Sequence, residues 1–196
     1  MLKLHDILEF AKCMNAFSSV TRMCYKPGTE KRENDVEHSY SLAMLAWYIA
    51  VHTDSKLDSN LVIKYALIHD LVEVYAGDTF LYSKNQLAHD TKKEREEEAR
   101  IRIEKEFPLF TDLHTTILNY EKREDRESHF VYVLDKLHPV FQLYLDNGRI
   151  WKEEGVTLDM LLAKKKDKLV LYPELLPYWE ELEALLREKE DALFCK

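Results

Sequence analysis

Turn-forming residues are scarce in this chain, with only four glycines and five prolines in 196 residues. That scarcity argues against a turn-rich β fold and for helices. Cysteine is scarce too. Cys13, Cys24 and Cys195 are odd in number and lack metal or redox spacing, which favours a reduced, cytoplasmic setting. No apolar run approaches the length of a membrane span. The opening segment MLKLHDILEF carries Lys3, Asp6 and Glu9, so it does not read as a signal peptide. Positive charge is in deficit, with 28 Lys and Arg against 36 Asp and Glu and a net charge of −8. A nucleic-acid duplex or an anionic membrane needs a basic footprint and is disfavoured as a partner. A phosphorylated small molecule is not, because one metal ion and one arginine reverse a local field. There is no glycine-rich phosphate loop.

What the chain has is helical periodicity. Charged residues make up 33% and are interspersed with apolar ones at helical spacing, so the chain reads as globular. A first helix is expected over about Leu4–Ser19, with Leu4, Ile7, Leu8, Ala11 and Met14 as its inward stripe. A connector follows over roughly Thr21–Glu33, with a turn at Lys26-Pro27-Gly28. Asn34 and Glu37 form a capping box for a second helix whose apolar face is Leu42, Leu45, Ala46 and Ile49. His38 points inward from its first turn. The third helix, about Ser59–Ala76, is apolar nearly all round, as a central helix should be. A loop then runs through about Asp90. Thr91 and Glu94 give a second capping box, opening a charged helix to Phe107. Further helices are expected over Asp112–Lys122, Ser128–Asp146 (kinked or broken at Pro139) and Leu158–Lys168. A last helix begins near Pro177 with Trp179, Leu182 and Leu186 inward. No strand pair is evident. The reading is one all-α helical bundle of residues 1–196, with a motif-bearing core over about 4–146 and a C-terminal helical extension over about 147–196.

The informative feature is His69-Asp70, set in the apolar string YALIHDLVEVYAGD. A buried carboxylate is costly unless paired, hydrogen-bonded or bound to a metal. His38 lies upstream and Asp135 downstream. Two imidazoles and two carboxylates neutralise a divalent cation and leave positions for water and a substrate oxygen. On a continuous helix His69 and Glu73 are i and i+4 and share a face, and Asp70 and Glu73 also converge. Spacing alone leaves a metal site and four separate core or capping residues about equally open. His5, His52, His114 and His129 read as ordinary histidines.

E-H-S at 37–39, H-D-L-V-E-V-Y-A-G-D at 69–78, L-D-K-L at 134–137 and the segment Lys93–Ala99 together resemble the HD-domain phosphohydrolase superfamily. Within it, the chain is most similar to the small hydrolases of the 5′-deoxynucleotidase kind. The resemblance runs from about residue 4 to residue 146. It implies that His38, His69, Asp70 and Asp135 hold one divalent metal ion. Mixed nitrogen and oxygen ligation suits manganese, cobalt, iron, nickel or zinc. It makes Glu73 the acid that handles the attacking water, Asp78 a support or substrate-side aspartate and Arg22 the phosphate grip. Met23 stands where the deoxynucleotidase has a Trp beside the sugar, a departure that puts sugar discrimination in question. His89, His114 and His129 fall between the HD pair and the last Asp but form no second motif, which favours one metal over two. The implied activity is release of phosphate from a nucleoside 5′-monophosphate. The alternatives are another phosphate ester, a nucleoside triphosphate or signalling nucleotide, or a non-catalytic regulatory protein. Intact Glu73 and Asp78 speak against the last. The resembling proteins are often dimers. The aromatic segment Phe141, Tyr144 and Trp151 could supply such an interface but reads first as core.

Overall fold

The computed structural model describes residues 1–53, 56–83 and 85–195. Helix α1 spans Leu4–Phe17. It turns Phe10, Cys13, Met14 and Phe17 inward and leaves Leu4, Ile7 and Leu8 at least half exposed. The expected stripe is thus rotated. Phe10 meets Phe107 edge-on at 5.2 Å, and burying the larger aromatic face removes more apolar area from water.

The segment expected as a connector is a β-hairpin. Strand β1, Thr21–Tyr25, pairs antiparallel with β2, Arg32–Asn34. Pro27 and Gly28 occupy its turn, where Gly28 has φ +74°. Proline followed by a positive-φ glycine is the combination a type II turn requires. Strands this short show no alternation long enough to read.

Helix α2, Asp35–Thr53, begins as expected. Glu37 N–H donates to Asn34 Oδ1 at 2.9 Å and Asn34 N–H to Glu37 Oε2 at 3.1 Å. Helix α3 covers only Ser59–Ile68 and α4 Glu73–Ala76, so the expected helix Ser59–Ala76 is interrupted. Across residues 69–72 the chain tightens to i→i+3 bonds, from Leu71 N–H to Ile68 C=O and from Glu73 N–H to Asp70 C=O. Gly77, φ +74°, ends α4.

The loop expected through Asp90 contains α5, Gln86–Asp90; position 84 within it lies outside the described residues. Helix α6, Lys92–Glu106, is not capped by Thr91, whose hydroxyl donates instead to Leu87 C=O. Helix α7 is Thr111–Lys122, and α8 is Arg126–Leu145. Asp125 caps α8 through Ser128 N–H at 2.7 Å. Helix α8 runs through Pro139 without breaking. Asn147 and Gly148, both at positive φ, close it. The C-terminal part holds α9 (Arg149–Glu153), α10 (Leu158–Leu169), a 3-10 turn (Pro173–Leu175), α11 (Leu176–Glu188) and α12 (Glu190–Leu193).

The protein is all-α apart from the small hairpin. Helices α2, α3 and α8 pack on one another. Leu42, Ala46, Val62, Tyr65, Phe130 and Leu134 are fully buried there. Trp151, Leu161, Leu175 and Leu186 from the C-terminal helices join the same apolar cluster. Trp151 is therefore core, and Phe141 and Tyr144 pack against that core. A second cluster joins α1, α6 and α7 through Leu71 and Val72, the residues after His69-Asp70. The site segment is thereby fastened on both sides. Among the described residues no helix is long and apolar enough to cross a membrane.

Candidate metal centre and its cleft

Three segments bring His38, His69, Asp70 and Asp135 together. One ligand atom from each lies within 4.8 Å of the others. His38 comes from the first turn of α2, where the Asn34–Glu37 box fixes the helix start. Asp135 comes from the middle of α8. His69 and Asp70 come from the tightened turn between α3 and α4. His69 Nε2 is 3.0 Å from Asp70 Oδ2 and 3.4 Å from Asp135 Oδ1. His38 Nε2 is 3.2 Å from Asp135 Oδ1.

The donor set fits a divalent cation. His69 Nδ1 lies 2.9 Å from Ala66 C=O. A donated N–H there leaves Nε2 aimed at the carboxylates. That Nε2 is buried and has no aligned hydrogen-bond partner. His38 Nδ1 lies 3.3 Å from Glu33 Oε2, the carboxylate–imidazole contact that orients metal-binding histidines. Burial alone would lower the His69 pKa, but Asp70 and Asp135 raise it to about 10. The carboxylate pair thus calls for positive charge at this point. Asp70 is pushed up by burial, yet His69 and Arg22 hold it well below the usual carboxylate range.

Glu73, Asp78 and Arg22 join this centre along one cleft of about 280 Å³. The i→i+3 turn sets Glu73 over Asp70 rather than over His69, because residues three apart eclipse in that geometry. Glu73 Oε1 accepts from Lys92 at 3.1 Å, while Oε2 is buried without a partner. Burial and the Asp70 charge raise Glu73 to about 9. Burial also raises Asp78. The turn bearing Asp78 is clamped by Arg95 of α6, which donates to Ala76 C=O, Thr79 Oγ1 and Ala88 C=O. Arg22 is bound by carboxylates, with Nη1 2.7 Å from Asp70 Oδ2 and 3.1 Å from Asp35 Oδ1.

Met23 is not brought into the cleft. Between Thr21 and Tyr25 the pairing register of β1 shifts; Arg22 and Cys24 line the cleft, while the Met23 sulfur lies 3.6 Å from Arg32 Nη1. The residues that line the cleft on this strand are therefore Arg22 and Cys24. Burial raises the Cys24 thiol to about 11, so it is no nucleophile at neutral pH.

Sequence reasoning missed the cationic wall. Lys92, Lys136, Lys164, Lys165 and Lys168 all line the cleft. Lys136 Nζ is 2.6 Å from Asp135 Oδ2. The run Ala163-Lys-Lys-Lys-Asp-Lys168 reads as a solvated face, and only the packing of α10 turns Lys165 inward. His138, three residues after Asp135 on the same helix, is a neighbour of the centre as well. Its ring lies 4.9 Å from His38, and burial and His38 lower it to about 4. Among the intervening histidines, His89 reaches the cleft, whereas His114 Nε2 contacts Phe107 C=O.

Fold and site together define a helical protein with a cluster of imidazoles and carboxylates that could hold a metal ion. A family model described as HD domain matches residues 18–176, and the chain belongs to that family. It is 29% identical over 140 residues to the 5′-deoxynucleotidase HDDC2 of Mus musculus, a match covering 69% of this chain and 67% of that protein. It is 25% identical over 146 residues to the 5′-deoxynucleotidase hdd1 of Schizosaccharomyces pombe, covering 71% of each. A solved structure described as a predicted metal-dependent phosphohydrolase, from Magnetospirillum magnetotacticum, superposes with a TM-score of 0.81 at 28% identity. It covers 98% of this chain and 96% of its own.

Proposed function

We propose that this chain is a metal-dependent phosphohydrolase that releases phosphate from nucleoside 5′-monophosphates. The observation that carries the reading is the convergence of His38, His69, Asp70 and Asp135 at one end of a cleft lined by lysines. The relatives named 5′-deoxynucleotidase support the substrate class. The four residues hold one divalent ion, and manganese, cobalt, iron, nickel and zinc all suit the donor set. Bound there, the ion supplies a water of lowered pKa and neutralises charge on the phosphoryl oxygens.

The chain's own residues do the rest. Arg22 and Lys136 each fix one ligand carboxylate, through the 2.7 Å contact to Asp70 and the 2.6 Å contact to Asp135. The unpartnered Glu73 Oε2 is the acceptor for the proton that water gives up. Burial and the charges of Asp70, Asp78 and Asp35 raise Glu73; a cation bound at Asp70 would offset the Asp70 contribution and lower the Glu73 pKa. Asp78 faces the charges of Arg22 and Lys92 across the cleft. With Met23 turned away, sugar discrimination falls to the residues that line the cleft.

Two further features belong to this reading. Cys13 and Cys24 are buried free thiols, which suits the reducing cytoplasm. Tyr40, Met44, Trp47, Tyr48 and Val51 form an exposed apolar stripe on α2, and its self-pairing would make a homodimer. The functional test is a phosphate-release screen over nucleoside 5′-mono- and triphosphates with each of the five metals. Release from monophosphates supports the reading. Release only from triphosphates, or from nothing while nucleotide still binds, overturns it.

A further inference from the structure

The cations of the cleft divide into two groups. Arg22, Lys92 and Lys136 are each paired with a carboxylate of the site, at 2.7 Å to Asp70, 3.1 Å to Glu73 and 2.6 Å to Asp135. Their charge is committed to holding the machinery. Lys164, Lys165 and Lys168 of α10 line the same cleft, and among the described residues no carboxylate pairs with any of them. Lys164 and Lys168 are exposed, but Lys165 is only 5% exposed. Its Nζ donates to the backbone carbonyl of Lys136 at 2.5 Å, one residue from Asp135. An ammonium has three N–H donors, so two remain for something else.

Asp135 acts on Lys165 only from beyond ion-pair distance and Lys136 opposes it, and a buried cation without a paired counter-ion is costly. The apolar alternative was open, since Leu161 and Leu169, one turn to either side on the same helix, are buried leucines. A lysine at that position makes physical sense when an anion joins it. We propose that Lys165 is a substrate-binding residue whose ammonium takes an anionic oxygen of the substrate's phosphate. Lys164 and Lys168 at the rim draw the anion in from solution. This rests on the reading that the site handles a phosphate ester. It places part of the substrate site in the C-terminal helices, beyond the motifs.

The test uses the metal-loaded full chain, with inorganic phosphate as the probe in titration calorimetry. Lys165→Met keeps length and removes charge. Its phosphate Kd rises about tenfold or more, as loss of a hydrogen bond to a charged group implies. Its thermal midpoint stays level or rises, because an uncompensated buried cation has gone. A lysine with only a structural role does the opposite: the midpoint falls and phosphate affinity stays. That result overturns the proposal, as does a Lys165→Met chain that does not fold. Lys164→Gln/Lys168→Gln weakens phosphate binding at low salt and converges with wild type at high salt; unchanged low-salt binding removes the rim lysines' role. Phosphate binding that needs Lys165 in a protein that hydrolyses no nucleotide leaves the subsite standing and removes the phosphatase reading. Nucleotide turnover and phosphate binding unimpaired in Lys165→Met do the reverse.

Discussion

Glu73 and Lys165 are the two side chains whose surroundings are hardest to explain without chemistry. Glu73 is buried with one oxygen unpartnered. Glu73→Ala should retain the metal, by elemental analysis, and lose about 10²–10⁴-fold in kcat if it accepts the proton of water. Loss of the ion with fast residual holoenzyme would make Glu73 a ligand instead. Lys165 bears on stability. Burial and Lys136 lower its pKa from 10.5 to about 8. Between those values the unfolded chain binds more protons than the folded one, so this group makes stability rise as pH increases from about 8 to 10.5. Wild type minus Lys165→Met, compared by denaturant midpoints across that window, isolates the contribution. A difference independent of pH would show that the lysine titrates normally.

At the scale of elements, short contacts explain what the pattern hid. His38, His69, Asp70 and Asp135 were legible because each sits in a motif string that resembles the family's, E-H-S, H-D-L-V-E and L-D-K-L. The hairpin was not, since strands of five and three residues offer no period. Without it the sequence could not tell which of residues 22, 23 and 24 line the cleft. The break after Ile68 was hidden for a different reason. Leu71 and Val72 continue the apolar string but pack into the second cluster, which a single straight helix could not reach. Pro139 lies inside α8 because losing one N–H costs less than breaking a helix whose residues on both sides are buried. The turn from α8 into α9 is equally specific. A Cβ on Gly148 would lie 2.1 Å from Leu193 C=O, whereas one on Gly155, also at φ +68°, meets nothing within 4 Å. Gly148→Ala should therefore destabilise by several kcal/mol, and Gly155→Ala by about 1–2 kcal/mol of left-handed strain. Equal losses in chemical denaturation would remove the steric argument.

The molecule as a whole ties its motif-bearing part to its C-terminal helices through one apolar cluster and one cleft. Trp151, Leu161 and Leu186 are fully buried in the apolar cluster that also holds residues of α2, α3 and α8. We propose that the chain folds as one cooperative unit. Removing residues 147–196 should leave an aggregation-prone chain with exposed core and no sharp thermal transition, checked by calorimetry and dye binding. A truncated chain that melts cooperatively would make the C-terminal part a separate unit. The most direct test of the central claim is phosphate release from nucleoside 5′-monophosphates, measured with metal content in the same samples. Wild type should bind about one divalent ion per chain, lose activity on chelation and recover it on reloading. His69→Ala should keep its helicity while losing both ion and activity. A metal-free His69→Ala protein with full activity would contradict the account.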